Sequence, residues 1–244
     1  MQENFIRLAK VMSQRNMCSR REAEQFIELG QVLVNGQIID RQGVKIQENA
    51  IIELLPQAQK QQSKKVTILL NKPIGYVSTQ PEKDYLPAID LINAKNQIKQ
   101  KNSPIFHSSH IKKLSVVGRL DIDSKGLLIF TQDGVLAKKI IGPKSSIEKE
   151  YLVYFMGQIN EDIIKKLSFG LSLDKKKLKP AKISLIQPNV LKFILTEGKK
   201  RQIRRMCDFF NLRVKSLKRV RIGNICLGDL PTGKWRFLQK NEAF

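Results

Sequence analysis

The sequence predicts an α+β chain: a small helix-helix-hairpin domain over residues 1–56, a linker over 57–65, and a mixed, largely antiparallel β-sheet with flanking helices over 66–244. Three observations support this. A helical run and a capping box precede an Asn-Gly hairpin signal near the start. A polar stretch without periodicity follows. Beyond it, strand-like runs outnumber helical ones and alternate irregularly with them, which favours an antiparallel sheet with helices packed beside it over repeated βαβ units.

In the first domain, Phe5, Leu8, Ala9 and Met12 follow the spacing of one helix face and leave Arg7, Lys10 and Arg15 outside it. Ser19 followed three residues later by Glu22 is a capping box, in which side chain and backbone satisfy each other's free N–H groups. It opens a second helix with Ala23, Phe26 and Ile27 on one face, which stops at Gly30. Val32 and Val34 alternate into Asn35-Gly36, the pair that best tolerates the positive φ angles of a tight hairpin, and Ile38 and a strand across Val44 to Leu55 complete the unit. Gln57 to Lys65, QAQKQQSKK, lacks large apolar residues and reads as a flexible linker.

The second domain begins with a strand, Val66 to Leu70, that runs into Asn71-Lys72-Pro73. Val116, Val117 and Leu120, then Leu127 to Phe130, read as two buried strands, with turn chemistry at Asp123, Ser124, Lys125 and Gly126 between them. Asp133 and Gly134 open a short helix ended by Gly142-Pro143. Tyr151 to Phe155 and Lys182 to Ile186 look like strands, and a helix around Glu161 to Leu167 closes at Gly170. In Arg201 to Phe210, Ile203, Met206, Cys207 and Phe210 form an apolar stripe at helical spacing; Arg201, Arg205 and Asp208 project away from it and Arg204 lies on its border. Asn93 to Lys113 is polar and reads as a disordered insertion. His107 and His110 within it lack helical context and acidic or Cys neighbours, so a metal site is not predicted there.

Forty-four Lys and Arg against 22 Asp and Glu leave a formal charge of +22, an excess that self-repels in a compact chain until a polyanion neutralises it. Nucleic acid is the partner this predicts. No apolar run approaches the length of a membrane span, and no secretory h-region opens the chain, so a cytoplasmic location and no membrane partner are expected. Cys18, Cys207 and Cys226 have neither disulfide-framework nor zinc spacing, and Cys207 falls on the packed stripe. Gly228 to Lys234 reads G-x-x-x-x-G-K, but Trp235 stands where a Mg²⁺-binding Ser or Thr belongs and Pro231 interrupts it, which argues against a nucleotide loop.

One segment names a chemistry. In Gly118 to Gly134, GRLDIDSKGLLIFTQDG, Asp121 follows a basic residue where a strand gives way to a loop. A carboxylate on such a rigid base can act as nucleophile or general base if a cation keeps it ionised; a turn aspartate bonding its own backbone is the alternative. Asp121 with Asp123 also allows a glycosidase-like pair, which the spacing alone does not decide.

This run, with NKPIGYV at Asn71 to Val77, KEYLV at Lys149 to Val153 and EGKKRQIRRM at Glu197 to Met206, resembles the signatures of the ribosomal RNA pseudouridine synthases of the RsuA family, in the same order. The helix-helix-hairpin unit is similar to the small RNA-binding domain first known from a ribosomal protein. The resemblance implies an α+β catalytic core that isomerises uridine in ribosomal RNA, with Asp121 as the catalytic carboxylate, Tyr151 stacking on uracil, and Arg204 set against Asp121, Arg201 being the second choice. It also implies RNA contacts at Arg7, Arg20, Arg21, Arg119, Lys149 and Arg201, no metal or other cofactor, ribosomal RNA and pre-ribosomal particles as partners, and a monomer. A non-catalytic RNA-binding or ribosome-assembly factor is the competing expectation. Which RNA, which uridine, and whether Asp121 attacks the anomeric carbon or takes a sugar proton stay open in the sequence.

Overall fold

The computed structural model describes residues 5–79, 84–101 and 103–244, and the chain divides into two units: residues 1–66 with 131–138, and residues 67–130 with 139–244. No helix among the described residues is long and apolar enough to cross a membrane.

The first unit contains β1 (Phe5–Arg7), α1 (Leu8–Gln14), α2 (Arg20–Glu28), β2 (Val32–Val34), β3 (Gln37–Ile39), β4 (Lys45–Gln47), β5 (Ile52–Leu54) and α3 (Pro56–Ser63). Its core gathers Leu8, Met12, Ala23, Phe26, Ile27 and Val32. The capping box forms as expected: Ser19 N–H donates to Glu22 Oε2 at 3.0 Å, and Glu22 N–H donates to Ser19 Oγ at 3.3 Å. Asn35 and Gly36 take φ of 49° and 79°, the two positive angles the hairpin needs.

Three expectations for this region are corrected. Phe5 is not on the first helix but in β1, paired with Gln47 and 52% exposed, because a non-local partner strand outweighs a local periodicity. The strand expected across Val44 to Leu55 is two strands, β4 pairing with β1 and β5 with β2. The expected linker is α3, started by Pro56 and anchored by buried Ala58 and by Gln62 Nε2 donating to the Met17 carbonyl at 2.9 Å. One buried alanine leaves no apolar stripe for a sequence pattern to find. Residues 131–138 join this unit through bonds such as Gln132 N–H to the Val66 carbonyl at 3.1 Å.

The second unit runs β6 (Thr67–Lys72), β7 (Tyr76–Val77), β8 (Leu86–Pro87), β9 (Ser115–Val117), β10 (Lys125–Thr131), α4 (Gly134–Ile141, begun in the first unit), β11 (Lys149–Met156), α5 (Glu161–Ser168), β12 (Ser172–Leu173), β13 (Lys176–Lys177), β14 (Lys182–Gln187), β15 (Val190–Leu195), α6 (Gln202–Asp208), β16 (Arg213–Ile222), β17 (Ile225–Cys226) and β18 (Trp235–Phe237). Its main sheet has the order β14-β15-β11-β16-β10-β6-β18, with β17 on β16 and β9 on β10. The sheet is mixed and mostly antiparallel, as the sequence predicts; the β10–β16 pair is parallel. Strands β6 and β10 are buried along almost their whole length, which explains their unbroken apolar runs.

The segment expected to be a disordered insertion is instead docked on β18. Trp235 Nε1 donates to the Asn93 carbonyl at 2.8 Å, Ile98 N–H donates to the Trp235 carbonyl at 2.7 Å, and the Phe106 ring lies edge-on to Trp235 at 5.2 Å. The few apolar groups of the insertion find their partners far along the chain, where no local pattern registers them.

Candidate active site

The loop bearing Asp121 is tied on both sides. Ser78 Oγ donates to the Leu120 carbonyl at 2.6 Å and accepts from Leu120 N–H at 2.9 Å, while Gly75 N–H donates to the Ile122 carbonyl at 2.9 Å. Ser124 N–H closes the turn on the Asp121 carbonyl at 3.0 Å. Gly75 of the NKPIGYV run, through its N–H, and Ser78 just after the run, through its hydroxyl, thus brace the aspartate loop. Asp121 itself is half-buried, and among the described residues its carboxylate makes no hydrogen bond or ion pair. It does not cap its own backbone, so the turn-aspartate alternative does not hold here.

The arginine expected to face Asp121 pairs with Asp123 instead. Arg204, 9% exposed on the border of the α6 stripe, places Nε 3.2 Å from Asp123 Oδ2 and donates from Nη2 to the Asp123 carbonyl at 2.9 Å. Arg201, held at φ 52° as the residue before α6, donates to the same Oδ2 at 3.1 Å, and this bond raises its already high pKa. Asp123 therefore locks α6 to the loop, and Asp121, two residues earlier, stays free. The turn decides which of the two carboxylates meets the helix, and spacing alone could not.

Lys72 is a site residue that the sequence reading did not single out. It is fully buried, and its ammonium donates to the carbonyls of Pro73 and Tyr76, both at 2.8 Å. Burial pushes its pKa down to about 8, against the opposing pull of Asp123 and Asp121. A lysine closing an apolar strand just before Pro was the available signal.

Tyr151, 8% exposed, sits in β11 between Phe193 of β15 and Arg219 of β16. Arg219 is 1% exposed; its Nε donates to the Leu127 carbonyl and its Nη2 to the Gly118 carbonyl, both at 2.7 Å, and Nη1 lies 3.5 Å from Tyr151 Oη. Sequence reasoning missed Arg219 too, although it shares the buried phase of β16 with Leu217, where an arginine is out of place unless it has partners.

Lys149 is corrected as an RNA contact. It is 7% exposed and donates to the carbonyls of Ile140 and Ile147 at 3.1 and 3.0 Å, so its charge holds the backbone rather than a phosphate; burial, then the Arg219 charge, lowers its pKa. Arg201 is exposed and bonds Asp123 with one edge of its guanidinium. Arg7, Arg20, Arg21 in the first unit and Arg119 in the second are exposed and form no ion pair among the described residues. Cys207 is buried and its thiol is pushed up to about 12 by burial, which suits packing rather than chemistry. In the Gly228 to Lys234 run, Trp235 is fully buried in β18 and Lys234 Nζ donates to the Lys95 carbonyl at 3.2 Å. Among the described residues no three His, Cys, Asp or Glu side chains converge as metal ligands do.

Residues 66–209 match the RNA pseudouridylate synthase family and residues 6–52 match the S4 domain. The dual-specificity RNA pseudouridine synthase RluF of Escherichia coli (strain K12) is 35% identical over 242 residues, covering 98% of this chain and 78% of that protein. The ribosomal large subunit pseudouridine synthase B of Bacillus subtilis (strain 168) is 33% identical over 244 residues, covering 97% and 93%. A crystal structure of a pseudouridylate synthase superposes with a TM-score of 0.65 at 26% identity, covering 96% of each chain.

Proposed function

Because the chain belongs to the RNA pseudouridylate synthase family and carries an S4 domain, and is thereby an RNA-modifying isomerase, we propose that it converts a specific uridine of ribosomal RNA to pseudouridine with Asp121 as the catalytic carboxylate. The observation that carries this reading is the state of Asp121: half-buried, on a loop braced from both sides, with no hydrogen bond or ion pair among the described residues while Lys72, Arg201 and Arg204 are bonded to other groups. A carboxylate held in this way is available to a bound nucleotide as nucleophile or base.

The target uridine must leave its helical stack before its glycosidic bond can be reached. Asp121 then attacks the anomeric carbon or removes a sugar proton, two routes that need the same free carboxylate. The uracil, detached at nitrogen, turns and rejoins through carbon five against the Tyr151 ring, whose hydroxyl reaches a ring proton, and the proton at carbon five leaves to a base, a role open to the released Asp121. Arg201 and Arg204 act at one remove, by fixing Asp123 and with it the turn. Arg7, Arg20 and Arg21 grip phosphates and supply salt-dependent affinity, with Arg119 adding a phosphate contact beside the loop. Every group named comes from one copy of the chain, so a monomer suffices. Ribosomal RNA, bare or in pre-ribosomal particles, is the partner, and the cytoplasm the setting.

The test is single-turnover conversion of ribosomal RNA by Asp121→Asn protein of verified fold. Asn keeps the shape and loses the anion, so product formation should vanish while RNA affinity holds. Conversion within about tenfold of wild type would sink the assignment, since loss of a covalent or general-base catalyst costs about 10²-fold or more. Mapping pseudouridine in ribosomal RNA with and without the gene identifies the uridine.

A further inference from the structure

We infer that Arg219 is a positioning residue for the isomerisation, setting the Tyr151 hydroxyl and the Asp121 loop against each other through one guanidinium. The inference rests on the roles of Asp121 and Tyr151 proposed above.

Three facts carry it. First, Arg219 is 1% exposed, yet among the described residues it makes no ion pair: its acceptors are the Leu127 and Gly118 carbonyls at 2.7 Å and the Tyr151 hydroxyl at 3.5 Å. A buried guanidinium without a carboxylate is costly, and packing alone would be better served by an aliphatic chain, as at Leu217 on the same strand face. Second, its contacts span the site. Gly118 lies three residues before Asp121, Leu127 lies in β10 just after the turn, and Tyr151 is the cross-strand neighbour of Arg219 in β11, with the guanidinium carbon 5.9 Å from the ring centroid. One planar fork thus ties the two ends of the aspartate segment to the tyrosine. Third, the backbone of Arg219 is drawn close to the start of β10. Gly126 is opposite Arg219 in the parallel β10–β16 pair, and a Cβ there would lie 2.8 Å from Arg219 N.

The chemical consequence concerns the hydroxyl. With Arg219 on the acceptor side of the Tyr151 oxygen, the phenolic hydrogen is left to point away from the guanidinium, so the hydroxyl meets a bound base with a set orientation. A lysine keeps the charge at this position but offers no planar fork, and cannot hold two carbonyls and the hydroxyl together.

A double-mutant cycle tests this, using Arg219→Lys, Tyr151→Phe and the pair in the full-length protein, with single-turnover rate and RNA Kd measured on the same ribosomal RNA fragment. Arg219→Lys should slow conversion at least about tenfold with Kd within about threefold of wild type. In the Tyr151→Phe background the same change should cost at least about threefold less than in wild type, because the share of its effect that runs through the hydroxyl is gone. Losses that multiply independently would overturn the proposal, as would a collapse of the melting temperature in Arg219→Lys or parallel losses of rate and affinity, both marks of a residue that serves only the fold. A Tyr151→Phe rate equal to wild type would overturn the role of Tyr151 and this proposal with it. A slowed Tyr151→Phe with no coupling overturns this one alone.

Discussion

Replacing Gly126 with Ala should damage stability and catalysis together, and the size of both effects follows from one close approach. Gly126 has φ of 103°, and a Cβ built there lies 2.8 Å from the nitrogen and 3.1 Å from the carbonyl carbon of Arg219, and closer still to its carbonyl oxygen. Carbon atoms attract best at about 3.5–4.0 Å, so β10 and β16 would have to separate by roughly 1 Å. A non-glycine residue at this φ costs about 1–3 kcal/mol, and weakening one or two bonds of the parallel ladder adds about 0.5–1.5 kcal/mol each. The sum is about 1.5–6 kcal/mol, which for a domain of this size lowers the melting temperature by about 3–24 °C. The same shift moves Leu127 against Arg219 and so the aspartate turn against Tyr151, where a misplacement of about 1 Å costs roughly 10²-fold in rate. Thermal melting by circular dichroism and single-turnover conversion read the two effects. A melting temperature within about 2 °C of wild type, together with a rate within about threefold, would show that β10 and β16 do not need this close approach, and the account of how the loop is held would fail.

Two further outcomes are expected. Burial holds Lys72 near pKa 8 instead of 10.5, so the folded protein binds fewer protons at this site than the unfolded chain between those values. Its charge is penalised in full below about pH 8, and the penalty fades as pH rises toward 10.5, a stability gain of at most about 3 kcal/mol. Wild type should therefore gain on Lys72→Met between pH 8 and 10 when melting temperatures are compared pairwise, and a difference that stays flat across this window would refute the assignment. For the first unit, Arg20→Ala with Arg21→Ala should weaken binding to structured ribosomal RNA across sequences and reduce the slope of log affinity against log salt by about one for each phosphate no longer neutralised. An unchanged slope would mean that these exposed arginines do not touch the backbone.

What was legible in the sequence was what residues a few positions apart settle between themselves. Ser19 and Glu22 cap α2, Asn35 and Gly36 turn the hairpin, the apolar runs of β6 and β10 announce buried strands, and Ile203, Met206 and Cys207 mark the packed side of α6, because each depends on backbone geometry within a turn or two. The family was legible through the order of the motifs around Asp121. Tertiary structure alone decided where the charges went. It docked the polar insertion on Trp235, spent Lys149 on the carbonyls of Ile140 and Ile147, and turned Arg204 to Asp123 across 81 residues. It also joined Arg219 to Gly118 across 101 residues. A long cationic side chain has several partners within reach in any sequence pattern, and only the folded sheet, by bringing distant backbones within 3 Å and excluding water, selects one of them. By committing Arg204 to Asp123, that same selection left Asp121 with a free carboxylate.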